Sequence, residues 1–226
     1  MKAQRIADAS SAVLIAGMLL YGALSYATAP ERYPMHWNLH GEVDRYGGRF
    51  EGLFAMPLIA LGVWLVLRFV PRIDPGRANY ANFIPAWATL QVAIIALLTA
   101  VHGFIQAAAR GRAIEVRTVV PLAVGALFVV LGNLLGKLRP NWFFGIRTPW
   151  TLSSAESWNR THRAGGWVFV LLGLLTMATA VVAPGRSILI MTGLVLLSSL
   201  GLAVYSYVVW RRDPDKVPPA GRTAAS

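Results

Sequence analysis

Six runs of mostly apolar residues dominate the chain, separated by shorter polar connections. The runs fall at 7–29, 52–70, 84–109, 119–136, 167–183 and 188–210. A helix of about 20 apolar residues crosses the hydrocarbon core of a bilayer, where every backbone polar group must be satisfied within the segment. The pattern therefore predicts an all-α, polytopic membrane protein with six transmembrane helices.

The connections divide the chain into two predicted halves of three spans each. Residues 1–118 form the N-terminal half with a loop at 30–51 (the outer loop), and residues 119–210 form the second half with a loop at 137–166 (the inner loop). Three spans per half would invert the second half relative to the first, as in many transporters. Residues 211–226 are rich in Pro, Gly and Ala, and we expect a disordered cytoplasmic tail.

Composition agrees with a membrane protein and explains the high charge. Of 226 residues, 56% are hydrophobic and only 14% are charged, with a net charge of +11, whereas a soluble domain has about 25% charged residues. The arginines lie in short loops beside the spans, which is typical of membrane orientation and not of nucleic-acid binding. Because the chain has no cysteine, disulfides and thiolate metal sites are excluded.

The distribution of Lys and Arg predicts the orientation. With the N-terminus in the cytoplasm, fourteen of these residues lie inside and seven outside, as the positive-inside rule requires. Both termini and the inner loop then face the cytoplasm. The outer loop, in which acidic residues outnumber Lys and Arg, faces out.

The first span has a competing interpretation as a secretory signal. Lys2 and Arg5 precede the apolar run, and residues 27–29 read Ala-Thr-Ala, a small-x-small cleavage pattern. However, the run is longer than a typical signal core, and Pro30 directly after the cut is unfavourable. We therefore expect a retained helix.

The inner loop is rich in tryptophan and contains signals for the start of a helix. The residue before Pro149 should be extended, and residues 153–156, which read Ser-Ser-Ala-Glu, fit a capping box. This predicts a short helix to about His162 that lies in the membrane interface. One stripe of that helix would hold Ala155, Trp158, Asn159 and His162. The simpler interpretation is a well-anchored loop.

The outer loop allows two interpretations. If it were helical, His36 and His40 would share one face and could bind a metal ion. Asp44 or Glu42 would then supply a third ligand. The glycines at 41, 47 and 48 instead favour a turn-rich lid that is structural or binds a ligand. We expect the lid, with no metal and no cofactor.

Two pairs of polar residues lie near the ends of spans. His102 and Gln106 are four residues apart in the third span, and Asn133 and Lys137 are four apart at the end of the fourth. His102 and Gln106 face either a neighbouring helix, as polar contacts, or a wet cavity, as part of a proton path. We expect Asn133 and Lys137 to form hydrogen bonds into the inner loop. The glycines at 132 and 136 would permit close approach of another backbone.

Catalytic patterns are absent from the sequence. Ser153 and Ser154 precede His162, but their best use is helix capping. No Gly-x-Ser-x-Gly elbow, phosphate-binding glycine loop or dinucleotide motif occurs. We therefore expect that the chain is not an enzyme.

Two stretches carry a family resemblance. The first consists of Gly132, Asn133, Lys137, Arg139, Asn141, the run Gly145-Ile146-Arg147-Thr148-Pro149-Trp150-Thr151, Trp158, Thr161, His162, Arg163, Gly165 and Gly166. The second consists of Pro34, His36, Trp37, Asn38, Gly41, Glu42, Asp44 and Arg45. The first stretch resembles the SdpI family, and the second is similar to an uncharacterised membrane domain often found ahead of it.

The resemblance implies a multi-pass immunity protein of the bacterial plasma membrane, which protects a producer cell from a secreted toxin peptide. In the founding type, the protein also holds a transcriptional repressor at the membrane. The implied partners are thus membrane lipids, a toxin peptide and a transcriptional repressor, with no direct contact to nucleic acid.

Carried onto this chain, the resemblance predicts two sets of site residues. The toxin-facing set lies in the outer loop and comprises His36, Trp37, Asn38, Gly41, Glu42, Asp44 and Arg45. The partner-binding set lies in the inner loop and comprises Asn141, Gly145, Arg147, Thr148, Pro149, Trp150, Thr151, Trp158, His162 and Arg163.

A receptor must also transmit a change from its outer face to its inner face. A ligand does this only if it binds one arrangement of the spans more tightly than another, because equal binding leaves the equilibrium between them unchanged. We expect His102, Asn133 and Lys137 to carry this coupling. The alternative function is a small-solute or ion transporter, which would place His102, Gln106 and Asn133 along one cavity.

Overall fold

The computed structural model describes residues 2–217, which contain seven helices and one small sheet. The helices are α1 (Lys2–Ser25), α2 (Arg49–Ile73), α3 (Ile84–Ala109), α4 (Val116–Leu135), α5 (Pro149–Leu152), α6 (Ala155–Val182) and α7 (Pro184–Arg212). The strands are β1 (Arg32–Trp37) and β2 (Val43–Gly48), which pair antiparallel. Two 3₁₀ turns lie at Tyr26–Thr28 and Arg77–Asn82.

All the helices except α5 are long and apolar enough to cross a membrane. The chain is therefore a multi-pass membrane protein, and the predicted six-span, all-α fold is confirmed. Most side chains on these helices that are not packed within the protein are apolar, as is expected of surfaces that face lipid.

The six long helices pack in two groups of three. Helices α1, α2 and α3 contact one another, as do α4, α6 and α7, and α3 contacts α4 between the groups. A shared core closes the end near the inner loop, where Tyr80 and Trp87 of the first group pack with Leu138 and Trp158 of the second. The grouping agrees with the two predicted halves, whose boundary stays a prediction.

The contact between α4 and α6 depends on two pairs of glycines. A Cβ atom at Gly132 would lie 2.6 Å from the carbonyl oxygen of Gly166, and one at Gly173 would lie 2.5 Å from that of Gly125. Both distances are too short for any side chain, so the two backbones touch directly. The predicted close approach at Gly132 is confirmed, and its partner is α6 of the same chain.

The two halves differ in their internal packing. In the first half the most extensive helix contact joins its first and third spans, whereas in the second half it joins the first and second, α4 and α6. An inverted repeat would place equivalent spans in equivalent contacts. The glycine pairs of α4 and α6 explain the difference, since they bring those two helices unusually close.

The inner loop contains a short helix, but not at the expected residues. It is α5, at Pro149–Leu152, whereas the segment expected to end near His162 is the first part of the long helix α6. The cap of α6 is Ser154, not Ser153. Of the predicted stripe, Trp158 and His162 are buried, while Ala155 and Asn159 are exposed, because the packed face follows Ser157, Trp158 and Thr161 instead.

The predicted tail begins inside the last span. Arg211 and Arg212 form the end of α7, and the backbone N–H of Val217 donates to the carbonyl of Ser153 at 3.0 Å. The first part of the tail is therefore held against the inner loop. Residues 218–226 lie outside the described residues, so their disorder stays a prediction.

The outer loop is a β-hairpin and not a helix. Its ladder pairs Arg32 with Gly48 and Trp37 with Val43, with irregular register between them. His36 lies in β1, whereas His40 lies in the turn that follows it. The helical pairing of His36 with His40, on which the metal interpretation depended, is therefore wrong.

Candidate functional site

Asp74 fastens the inner loop to the first half of the molecule. Its carboxylate, which is 1% exposed, accepts from the backbone N–H of Trp142 at 3.0 Å and from the hydroxyl of Tyr80 at 2.9 Å. It also accepts from the N–H of Gly76 at 2.6 Å. Burial, together with donation to Asp74, raises the pKa of Tyr80, so the hydroxyl remains a donor. One side chain thus joins the α2–α3 connection to the inner loop.

Asn141 shapes the next turn of the inner loop. Its side-chain oxygen accepts from the backbone N–H groups of Phe143 and Phe144, at 3.0 and 2.7 Å. Its amide nitrogen donates to the carbonyls of Arg139 and Phe144, both at 3.0 Å. The side chain is 2% exposed. All its hydrogen-bonding capacity is used inside the loop, which makes Asn141 a structural residue of the turn.

His162 connects α6 to the turn at Gly145. Its Nε2 accepts from the backbone N–H of Ile146 at 3.0 Å, so Nδ1 carries the proton and donates to the carbonyl of Trp158 at 2.8 Å. The ring also stacks on Trp158, with centroids 4.0 Å apart. Gly145 has φ +115°, and a Cβ there would lie 2.3 Å from Nε2. The turn therefore requires glycine for two independent reasons.

Thr148 and Thr151 form the cap of α5. The Thr151 N–H donates to the Thr148 hydroxyl at 3.1 Å, and the Thr148 N–H donates to the Thr151 hydroxyl at 2.9 Å. This is a capping box, displaced from the predicted position because Thr148, before Pro149, is extended. The Thr148 hydroxyl lies 2.9 Å from that of Ser206, which anchors α5 to α7.

The end of α7 returns to cap α6. The hydroxyl of Ser154 donates to the carboxylate of Asp213 and accepts from the N–H of Ser157 at 2.9 Å. Donation from Ser154 holds the pKa of the Asp213 carboxyl below its usual value. The stabilisation that this contact provides is therefore present at neutral pH and is lost as the pH falls through that lowered pKa.

The structure separates the predicted partner-binding residues into three groups. Five of them are buried or hydrogen-bonded within the loop, namely Asn141, Thr148, Thr151, Trp158 and His162, and Gly145 packs against the His162 ring. Trp150 is half-buried and packs on Tyr207, with ring centroids 5.2 Å apart. Arg147, Pro149 and Arg163 are exposed. The last group has exposed side chains that can reach a partner, and the Arg147 guanidinium also donates to the carbonyl of Trp142 within the loop.

The outer hairpin rests on the ends of α2 and α3. Tyr33 is fully buried against Gly52, where a Cβ would lie 2.0 Å from the tyrosine ring. Trp37 packs on Phe104, with ring centroids 4.9 Å apart. In addition, Gln106 donates to the carbonyl of Gly52 at 2.7 Å. The hairpin is therefore a fixed part of the fold, with the predicted Trp37 turned inward.

The other predicted toxin-facing residues lie at the turn and on the outer surface of the hairpin. Asn38 closes the turn, because its oxygen accepts from the N–H groups of His40 and Glu42 at 2.9 and 3.0 Å. The turn glycine, Gly41, has φ +80°. An exposed hydrogen bond joins His36 to Asp44 at 2.6 Å, and an exposed ion pair joins Arg45 to Glu51 at 2.8 Å.

No group of three or more His, Cys, Asp or Glu side chains within residues 2–217 lies close enough to hold a metal ion. His36 pairs with Asp44 alone, and His40 contributes its backbone N–H to the turn. The hairpin geometry, which separates the two histidines, explains why their sequence spacing does not build a site.

The three predicted coupling residues lie in different places. His102 is buried beside Tyr21, and neither ring nitrogen has a hydrogen-bond partner in the part of the chain that the structure describes. Asn133 is exposed and donates to the carbonyl of Val129 in its own helix at 2.8 Å, not into the inner loop as expected. Lys137 is exposed.

Sequence reasoning missed a polar cluster between α1, α2 and α3. Asp8 accepts from Arg68 and, at 3.2 Å, from Gln91. Gln91 in turn contacts Gln4 at 2.8 Å and Ser11 at 3.1 Å. The signal was available, because an acidic residue inside an apolar run is costly unless it is paired. Asp74, by contrast, has no comparable signal in its own segment.

The geometry defines a class of protein, a six-span membrane protein whose outer hairpin and folded inner loop are both built into the helix bundle. Residues 137–206 match the model of the SdpI/YfhL protein family, and residues 13–61 match that of a domain of unknown function (DUF1648). The resemblance to the SdpI family is thereby confirmed for the second half of the chain.

One curated relative is similar along most of the chain. It is the immunity protein SdpI of Bacillus subtilis (strain 168), which is 23% identical over 204 residues, covering 89% of this chain and 95% of that protein. No solved structure matches the chain.

Proposed function

We propose that this chain is a membrane immunity protein that protects a bacterial cell from a secreted toxin peptide. The similarity to the immunity protein of Bacillus subtilis carries the proposal, because it extends over 89% of this chain and 95% of that protein. A similarity of this extent concerns the whole six-span architecture and not one motif. The proposed location is the bacterial plasma membrane, with both termini in the cytoplasm.

The outer hairpin supports a role in contact with a cationic peptide. Glu42 and Asp44 are exposed on it, together with His36. Acidic side chains on an outer surface attract cationic ligands and steer their approach. Tyr33 and Trp37 fix the hairpin to the helices, so a toxin would bind a preformed surface and lose little free energy to ordering it.

The inner loop supports a second contact, with a transcriptional repressor. Arg147, Pro149 and Arg163 are exposed, whereas the other signature residues hold the loop in shape. In this proposal the buried residues form the scaffold and the exposed ones form the contact. No catalytic step is assigned to either loop.

Helix α2 is the direct connection between the two loops. Gly52 near one end receives Tyr33 of the hairpin, and Asp74 directly after the other end binds Trp142 of the inner loop. We therefore assign the coupling between the two loops to α2, with His102 as a further candidate near the outer end of α3. Asn133 and Lys137 lie on the exposed surface of the second half, away from this path.

The arrangement of the cavities does not favour a transport function. His102 and Gln106 line a pocket of about 310 Å³ with Tyr21 at the outer end of α3. Asn133 lines a different furrow, of about 230 Å³, beside α6. The three residues that a transporter would place along one cavity thus lie in separate clefts of the two halves.

Survival of a sensitive bacterium tests the proposal. Cells that express the chain are challenged with secreted cationic membrane-active peptides and compared with cells carrying an empty vector. We expect protection, and we expect it to be lost in the Glu42→Gln/Asp44→Asn variant, which removes the acidic surface. The matched control Glu31→Gln removes a charge on the same face from a side chain that is 89% exposed.

A second comparison locates the intracellular contact. Arg147→Ala should leave protection intact and abolish membrane capture of a repressor, while Arg77→Ala, an exposed arginine on the same face, should change neither. Failure of the unaltered chain to protect against any peptide would contradict the immunity function. Protection that survives loss of Glu42 and Asp44 would remove the toxin contact from the hairpin.

A further inference from the structure

A basic pocket lies beside the inner loop and shares Arg163 with the proposed repressor contact. It has a volume of about 620 Å³ and lies between the end of α4 and the first turns of α6. Its cationic wall contains Arg139, Arg160 and Arg163. Basic pockets between transmembrane helices on the cytoplasmic side are typical sites for anionic lipid headgroups.

The charges in this pocket are only partly neutralised. Arg160 pairs with Glu156 at 2.7 Å. Among residues 2–217, no carboxylate lies within 4.0 Å of the charged groups of Arg139 and Arg163. The same is true of Lys137, which lies nearby. Three cations without acidic partners therefore surround the mouth between α4 and α6. A phosphate group would supply the missing negative charge.

A largely apolar furrow, with Asn133 and Lys137 among its lining residues, continues from the pocket along the membrane-spanning part of α4 and α6. It has a volume of about 230 Å³, and its floor is formed by Gly132 and Gly166, where the two backbones touch. Gly136, Arg163 and Trp167 line both the pocket and the furrow. The missing side chains of Gly132 and Gly166 let the two backbones meet, and the furrow runs over this contact.

Trp167 marks the level of the membrane interface. Its side chain is 76% exposed at the boundary between the basic pocket and the furrow. Tryptophan is enriched where headgroups meet acyl chains, since its ring is apolar and its N–H is polar. A phosphate above Trp167 and an acyl chain below it would both find matching surfaces.

We propose that this pocket and furrow bind one anionic phospholipid, with the phosphate among Arg139, Arg163 and Lys137 and an acyl chain in the furrow between α4 and α6. The apolar furrow favours a lipid over free phosphate, because free phosphate would leave it unused. This inference does not depend on the immunity function.

Native mass spectrometry of the full chain in detergent tests the site, with phosphatidylglycerol and phosphatidylcholine as probes. We expect one phosphatidylglycerol to bind about tenfold more tightly than phosphatidylcholine. Arg139→Gln/Arg163→Gln should weaken phosphatidylglycerol binding about tenfold or more, because each cation near an anionic headgroup contributes on the order of 1 kcal/mol. The matched control Arg72→Gln/Arg211→Gln removes two exposed arginines from the same face outside the pocket and should change binding less than about twofold.

A second variant tests the lipid without changing charge. Gly136 has ordinary helical angles, and a Cβ there meets only the Cα of Arg163, at 4.0 Å. Gly136→Leu should therefore fold normally, fill the junction of pocket and furrow, and lower phosphatidylglycerol binding with an unchanged melting temperature.

Three results would overturn the inference. Equal losses in the control pair would mean a general attraction of lipid to the basic face. Displacement of phosphatidylglycerol by millimolar inorganic phosphate, with binding unaffected by Gly136→Leu, would mean a site for free phosphate. Unchanged phosphatidylglycerol binding in both pocket variants would place the lipid elsewhere.

Discussion

Gly145 illustrates how a residue of a family signature can be required by the fold. Its φ of +115° is one that side chains rarely adopt, and its missing side chain leaves room for Nε2 of His162. That nitrogen accepts the N–H of the next residue, Ile146. The conformation at residue 145 and the hydrogen bond at residue 162 therefore depend on each other.

Replacement of Gly145 by alanine should destabilise the chain strongly. The Cβ would be placed 2.3 Å from Nε2 of His162, so the variant has backbone strain and also loses a buried hydrogen bond. Together these should lower the free energy of unfolding by roughly 3 kcal/mol. Denaturant unfolding in detergent micelles measures the change.

Gly111 provides the matched control for this prediction. It also has a positive φ, of +77°, but a Cβ there would meet nothing within 4 Å. Gly111→Ala should therefore cost only the backbone strain, about 1 kcal/mol. Equal losses in the two variants would show that contact with His162 contributes nothing to stability.

At the scale of single residues, the sequence marked the inner-loop segment as distinctive, but it did not reveal what each of its residues does in the fold. The run at Gly145 to Thr151 was visible as a motif, and the extended conformation of Thr148 followed from Pro149. However, the acceptor for Ile146 lies sixteen residues further on. A contact of that length depends on how α6 packs, and no local pattern reports it.

Among the elements, α4 and α6 make the closest contact because glycines replace side chains at two points. Gly125 faces Gly173 and Gly132 faces Gly166. Helices in lipid gain little from hydrophobic burial against each other, so close backbone contact and the packing that it permits stabilise the pair.

Gly173→Ala tests this contact. The added Cβ would lie 2.5 Å from the carbonyl oxygen of Gly125, so the helices must separate. We expect the free energy of unfolding to fall by roughly 1–3 kcal/mol. Gly193→Ala in α7 is the control, because a Cβ there meets nothing within 4 Å; it should raise stability by up to about 1 kcal/mol through helix propensity. A stable Gly173→Ala variant would mean that the contact is not tight.

The number of spans could be predicted from the sequence, but the start of α6 and the hairpin structure of the outer loop could not. Apolarity fixes which segments can enter lipid. It does not mark the start of α6, where Ser154 caps a polar first part that packs against protein. Likewise, the outer hairpin forms because Tyr33 and Trp37 find partners on α2 and α3, which no pattern within the loop shows.

For the whole molecule, Asp74 is the residue that joins the two halves at the inner face. It holds Trp142 of the inner loop while its other contacts, with Gly76 and Tyr80, stay within the first half. A second contact, from Asn79 to the carbonyl of Pro140 at 2.7 Å, lies beside it. These two polar contacts lie beside the shared apolar core and add directional hydrogen bonds to it.

Asp74→Asn should loosen the inner loop from the first half. Both carboxylate oxygens accept hydrogen bonds, and an amide must turn its NH₂ group toward one set of donors. We expect the opening free energy of the Trp142 amide to fall by roughly 1–3 kcal/mol, measured by hydrogen exchange. Asp215→Asn, an exposed acid on the same face, should leave that amide unchanged, and equal protection in the two variants would contradict the role of Asp74.

The contact between Asp74 and Trp142 could not be predicted from the sequence. Asp74 stands in a short connection between spans, where an acidic residue is ordinary. Its partner Trp142 lies 68 residues further along the chain. By contrast, the two halves themselves followed from the order of spans and loops, because that order is visible as alternation of apolar and polar segments.

The glycine contacts of α4 and α6 also limit how the molecule can move. A slide of one helix along the other by one turn, about 5.4 Å, would carry the side chains of Val129 and Val170 out of the spaces beside Gly173 and Gly132 and against opposing backbone. We therefore expect these two helices to move together as one rigid unit. We expect any conformational change of the bundle to displace α1–α3 and α7 around this pair.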